Sequence, residues 1–225
     1  MRFVPLLSSA LDPAPWLGLG PVALRWEGEP DPRWEAEAFR GLPIHAVHLA
    51  GEAPVIEALT VLQRRSLGPD FLVVPVARPA NREAGFRFLG DLEALLEATA
   101  GRSVKLALRL EAGATVPVLD LLRQARGEAV GFCWHAGCED LEALADRLWT
   151  GVCEPGADLR PLQRLGYRWD MALPATDLSL FRDQAAALAA AHPPVLFPAE
   201  LPATALGRPV VPDPDVVLGK HWDQP

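Results

Sequence analysis

At 225 residues, half of them hydrophobic, the chain is sized for one α/β domain with a large core. Acidic residues outnumber basic ones 29 to 21, a formal net charge of -8, which disfavours nucleic acid as a partner because phosphate backbones need a positive surface. No uninterrupted apolar run reaches the roughly 18 residues of a membrane span, and the opening MRFVPLLSSALDPAP is too short and too proline-broken for a signal peptide.

Cys133, Cys138 and Cys153 are an odd set and fit reduced thiols, so a cytoplasmic location is expected. Lys105 and Lys220 are the only lysines, and there are 23 prolines; this bias suggests a GC-rich, thermophilic source.

Short β-rich segments alternate with polar starts and amphipathic runs, the pattern of parallel βα units. Strands are expected at RFVPLLS (2–8), PVALRWE (21–27), PIHAVHL (43–49), FLVVPVA (71–77), VKLALRL (104–110), AVGFCWH (129–135), YRWDMALP (167–174) and VLFPAE (195–200). Helices are expected over 32–40, 52–65, 82–99, 116–126, 139–148, 159–165 and 177–191, the last with Asp177 as N-cap. LDPAPWLGLG, between the first two strands, is too proline-broken for a crossover helix. The fold class is therefore a (β/α)8 TIM-type parallel barrel with a missing or shortened first helix, and a doubly wound open sheet is the alternative. One domain is expected over 1–205, followed by a proline-punctuated extended tail over 206–225.

Buried parallel strands usually read as continuous apolar runs. Three strands here do not. Alternation puts Leu106, Leu108 and Leu110 on one face of the fifth strand, with Lys105, Ala107, Arg109 and Glu111 on the other. Arg25 and Glu27 share a face with Ala23, and Arg168 and Asp170 share one with Ala172. Such charges must pair with each other, reach water or meet a ligand. A structural ion-pair network and a ligand-binding lumen both satisfy that condition. In the second case Arg25, Arg109 and Arg168 bind an anionic group on a substrate.

In TIM barrels chemistry sits at strand C-terminal ends. Glu111 and Glu200 both end strands, and two such carboxylates suit either a divalent metal or an acid/base pair. Helix capping or pairing with arginine is the structural alternative. His135 ends the sixth strand with Cys138 three residues on, donor types that suit zinc. Their alternative is a backbone-satisfied histidine and a small hydrophobic thiol. If the face of Ile44 and Ala46 points inward, His48 reaches the pocket rim, and His45, on the opposite face, is structural. His192, His221 and Cys153 receive no role.

With these residues in place, the chain resembles the xylose-isomerase-like barrel superfamily, which includes sugar-phosphate isomerases/epimerases and endonuclease IV relatives, over roughly residues 43 to 200. VKLALRLEAG looks like the fifth-strand segment ending in a metal-binding Glu, here Glu111. AVGFCWHAGC looks like the next strand, where the family's Asp-x-Gly-His reads His135-Ala136-Gly137-Cys138. VLFPAE looks like the last strand, ending in Glu200, and His48 falls where many members have a third-strand His. The family's seventh-strand His has no counterpart in RWDMALPATD unless Asp170 or Asp177 substitutes.

The resemblance implies an enzyme that moves a proton next to a carbonyl on a small polyhydroxylated or phosphorylated substrate. Glu111, Glu200 and His135 would be its catalytic residues. Glu111, His135, Cys138 and Glu200 would be its metal ligands, a set that favours zinc over magnesium or manganese. The alternatives are a non-catalytic barrel binding a small anion or a protein partner and, less favoured by charge, a metal-dependent phosphodiesterase. A homo-oligomer is compatible with all three.

Overall fold

The computed structural model describes residues 1–27, 43–50, 68–100, 104–124 and 129–193, and residues 55, 58 and 60 singly. Eight parallel strands form a closed ring in chain order: β1 (Arg2–Ser8), β2 (Val22–Trp26), β3 (Ile44–Leu49), β4 (Phe71–Val76), β5 (Lys105–Leu110), β6 (Val130–Trp134), β7 (Leu148–Val152) and β8 (Asp170–Pro174). β8 pairs with β1 from Arg2–Asp170 to Leu6–Pro174, which closes the barrel. The expected barrel class holds, and the open-sheet alternative does not.

Two assignments change. Leu148–Val152 is a strand where the sequence reads as the end of a helix, so YRWDMALP supplies the eighth strand rather than the seventh. The expected strand at 195–200 lies outside the described residues. The chain divides into two units, Met1–His192, which carries the barrel, and Pro193–Pro225. The expected boundary at 205 and the tail lie outside the described residues.

The described helices are α1 (Arg82–Thr99), α2 (Thr115–Gln124), α3 (Leu141–Leu144), α4 (Arg160–Arg164) and α5 (Leu178–Ala191). The expected helix over 32–40 and most of that over 52–65 fall on residues not described. Among the described residues no helix is long and apolar enough to cross a membrane.

The first crossover is a single 3-10 turn, Ala14–Trp16. Its Trp16 packs edge-on against Phe181 of α5, with ring centroids 6.0 Å apart, and so covers the barrel wall that a longer helix would cover elsewhere. Asp177 caps α5 by accepting the Leu180 N–H at 2.9 Å. Asp177→Ala is expected to cost about 1 kcal/mol of stability, read as a shifted urea midpoint with unchanged slope.

The barrel wall has two faces, set by strand alternation. Leu24, Leu106, Leu108, Phe132, Met171 and Leu173 face outward onto helical residues such as Leu92, Val118 and Leu188. Val4, Leu6, Ala23, Ala46, Val73, Ala107, Cys133 and Ala172 form a separate inner cluster that lines the lumen.

Two register shifts break the alternation. Val22 pairs with Ile44 but Ala23 pairs with Ala46, and Phe132 pairs with Leu148 but Cys133 pairs with Thr150. Each shift leaves an extra residue, His45 on β3 and Trp149 on β7. His45 contacts Phe71, Thr150 and Asp170, which come from β4, β7 and β8. A β3 side chain meets both β7 and β8 only through the lumen.

Candidate functional site

The N-terminal end of the barrel is closed by a paired network. Arg2 grips Asp170 with two hydrogen bonds, the Nε donating at 2.7 Å. His45 Nδ1 stands 3.5 Å from the same carboxylate and 3.8 Å from Asp70, while its Nε2 lies 3.2 Å from Thr150 Oγ1. Burial lowers the His45 pKa, opposed by the Asp170 and Asp70 charges. Tyr167 donates its hydroxyl to the Asp170 carbonyl at 2.9 Å, and Lys105 lies over the Trp149 ring. At this end the interior charges are structural. Arg168 precedes β8 and is exposed at this same end, away from the strand C-terminal tips. Asp170 is likewise committed here.

The opposite end is built differently. Arg25 of β2 sits beside His48 of β3 in the ladder, and Arg109 of β5 continues the lumenal face of Ala107. His48 is 2% exposed, and neither of its ring nitrogens has a hydrogen-bond partner. Burial pushes its pKa down to about 3, assisted by the positive charges of Arg109, His45 and Arg25. His48 is therefore a neutral imidazole at physiological pH. Among the described residues no carboxylate is paired with Arg25 or Arg109.

Behind them, the Cys133 thiol also belongs to the lumen, and burial pushes its pKa up to about 12 despite the Arg109 charge. It is an uncharged thiol there. Glu27, just past β2, takes a hydrogen bond from the Ser8 hydroxyl, and its own N–H donates to Ser9 Oγ at 3.1 Å. Glu27 and Ser8 are additions to the candidate set. The period-two face of β2 extends to Glu27, so that signal was present in the sequence.

Of the other expected residues, His135 and Cys138, at the turn after β6, are both engaged. His135 is pinned on both sides: Nε2 donates to the Leu110 carbonyl at 2.6 Å, and Nδ1 accepts the Gly137 N–H at 3.2 Å. A carbonyl only accepts and an amide only donates, so this geometry sets the tautomer. The Cys138 thiol contacts the Glu139 carbonyl at 3.7 Å. Burial, then the Asp140 and Glu139 charges, raise its pKa to about 11. The Glu139 side chain accepts the Gly113 N–H at 2.9 Å, which stitches the turn after β5 to the turn after β6.

Glu111 is exposed immediately beyond β5, with no ion pair among the described residues, on the rim of a cleft of about 850 Å³ that also borders Arg78 and Phe88. Glu200 lies outside the described residues.

The expected metal does not fit what is described. No three His, Cys, Asp or Glu among the described residues are placed to hold an ion. His135 has both nitrogens engaged, the Cys138 thiol is turned to the Glu139 carbonyl, and His48 faces two guanidinium groups that repel a cation.

No protein-family model and no curated protein matches the sequence. Solved structures do match its fold. The xylose isomerase domain protein from Planctomyces limnophilus superposes with a TM-score of 0.61 at 13% identity, over 84% of this chain and 94% of that one. The IOLI protein, in a structure with a binding zinc atom, gives 0.59 at 13% identity over 82% and 92%. An AP endonuclease of family 2 from Brucella melitensis gives 0.56 at 11% identity over 85% and 98%. The chain has the fold of the xylose isomerase-like TIM-barrel proteins.

Proposed function

We propose that the chain is an isomerase- or epimerase-type enzyme that moves a proton next to a carbonyl on a small, polyhydroxylated or phosphorylated substrate. The observation that carries this reading is the buried, partnerless imidazole of His48 beside Arg25 and Arg109 at the strand C-terminal end of a closed parallel barrel. Barrel enzymes react their substrates at that end.

Arg25 and Arg109 hold the substrate's anionic group, and neutral His48 donates a hydrogen bond to its carbonyl oxygen, where charge builds up. Glu111, next on the period-two face after Arg109, takes the proton from the neighbouring carbon. In isomerisation it returns that proton to the former carbonyl carbon, while His48 passes its ring proton to the carbonyl oxygen and regains one from the adjacent hydroxyl. In epimerisation a water proton enters from the other face and Glu111 releases its own to solvent. The proton count balances, and nothing is oxidised or reduced overall.

The test is to incubate the full chain with a panel of sugar phosphates and free sugars in D2O and follow the C–H next to the carbonyl by NMR. Deuterium should enter with at least one panel member and fall 100-fold or more in Glu111→Gln, which removes charge but little volume. No exchange across the panel overturns the reading.

The engagement of both His135 nitrogens favours a second reading, in which the barrel binds a small anion without turning it over. The zinc reading needs donors beyond those described, and no step here is routed through a metal.

A further inference from the structure

The lumen beneath the mouth is lined largely by small side chains. TIM-barrel interiors are filled by layers dominated by Val, Ile and Leu. Here four of the eight described lining residues are the fully buried Ala23, Ala46, Ala107 and Ala172, beside Val4, Leu6, Val73 and Cys133. Gly131, which pairs with Ala107, is filled by the Trp149 ring on its β7 side. The large side chains His45, Phe71 and Trp149 occupy the N-terminal end. What stands above the alanine layer is Arg25, His48 and Arg109.

Three properties of that group point the same way. A buried imidazole with two unsatisfied nitrogens costs about 1–3 kcal/mol unless something bonds to it. Two guanidinium groups, always charged, stand near it without a carboxylate among the described residues. Nothing negative is supplied from below, because the Cys133 thiol stays protonated. Glu27, the carboxylate that shares Arg25's face, is bonded to Ser8 instead.

We propose that Arg25, Arg109 and His48 form a seat for one oxoanion, the phosphate or carboxylate of a small molecule, and that this anion takes the place a divalent metal would hold. The seat rests on the reading of the mouth as the binding site, but it requires no turnover there. Each arginine offers a planar fork that matches an oxoanion's oxygens. With phosphate or malonate alone, His48 satisfies one further anion oxygen through whichever nitrogen carries the proton; in the substrate complex of the proposed enzyme that N–H turns to the carbonyl oxygen. The same charges exclude a cation, so binding is independent of added metal.

The test is a calorimetric titration of the EDTA-treated full chain with inorganic phosphate at low ionic strength, with malonate and chloride as parallel arms. Saturable one-to-one binding is expected for phosphate or malonate and not for chloride. It should weaken at least tenfold in Arg109→Ala and in Arg25→Ala, and change less than twofold in Arg123→Ala, an exposed arginine of α2 paired with Asp120.

Should Arg109→Ala not fold, Arg109→Lys keeps the charge but loses the fork and should still weaken binding several-fold. Equal binding by the folded variants, no saturable binding, or binding that appears only on adding zinc overturns the seat. Deuterium exchange on the same samples separates the two proposals. Saturable phosphate with no exchange on any substrate leaves the seat and sinks the enzyme reading. Exchange that phosphate and malonate do not inhibit does the reverse.

Discussion

Gly131→Ala is expected to destabilise the barrel by about 3 kcal/mol or more, the upper end for overpacking a close-packed interior. A Cβ at this position would lie 2.1 Å from Trp149 Cδ2 and 2.2 Å from Cε3, inside any permissible contact. The ring cannot simply swing away. Trp149 packs against Phe71 at 6.2 Å and carries the Lys105 ammonium over its face at 5.8 Å. Moving it disturbs the whole N-terminal closure of the lumen.

The requirement for glycine is one of space, since Gly131 has no left-handed backbone. A loss of that size lowers the melting temperature of a domain this large by about 6–12 °C. The discriminating measurement is a double-mutant cycle with Trp149→Leu. The smaller side chain should restore much of the lost stability, giving a coupling of opposite sign to the single losses. An unchanged urea midpoint in Gly131→Ala, or strict additivity in the cycle, would show that Trp149 does not occupy the space the structure gives it.

The same pair explains what could be read from the sequence and what could not. Alternation alone assigned the faces of β5: Leu106, Leu108 and Leu110 are outward, while Ala107 continues inward to Arg109. It worked because leucine and alanine or arginine strictly alternate there. β7 was not legible. EDLEALADR has helical spacing and runs through a 3-10 turn, Ala145–Arg147, straight into Leu148, with no glycine or proline to separate helix from strand. Missing it displaced the strand numbering by one, so that YRWDMALP was read as the seventh strand rather than the eighth.

Register shifts were equally invisible, because nothing local distinguishes His45 or Trp149 from a residue on the opposite face. The inward faces of Arg25 and Arg109 were legible strand by strand. Because the shift at His45 puts Ile44 outward and Ala46 inward, that of His48 was legible only in part. The engagement of His135 was not, since its acceptor, the Leu110 carbonyl, lies 25 residues away in sequence. Asp170, a candidate for a missing ligand, is held by Arg2, a partner 168 residues distant. Composition and periodicity place side chains on faces; only the closed ring decides at which end of the lumen they meet, and with whom.

His48→Leu should stabilise the protein while abolishing its proposed anion binding. At pH 7 the substitution removes an orphaned buried polar group, worth about 1–3 kcal/mol. The pH dependence is the sharper signature. The folded His48 titrates at about 3, against an ordinary value of 6.5. Between those two values the unfolded chain binds a proton that the folded chain refuses, so stability falls as the solution is acidified. From pH 7 to pH 4.5 this one residue removes about 3 kcal/mol, at 1.36 kcal/mol per unit across the two units below 6.5. In His48→Leu that share of the acid loss disappears.

His45, also depressed by burial, keeps its own smaller contribution, so the variant's curve is flattened rather than flat. Urea unfolding of both proteins at the two pH values measures the difference directly. Equal acid losses would mean that His48 is not held neutral in a closed lumen. A less stable variant at pH 7, with binding intact, would mean that its ring is packing rather than a ligand-facing group. Stability given up at a single buried imidazole is what a binding site costs a fold when no other part of the barrel needs that residue polar.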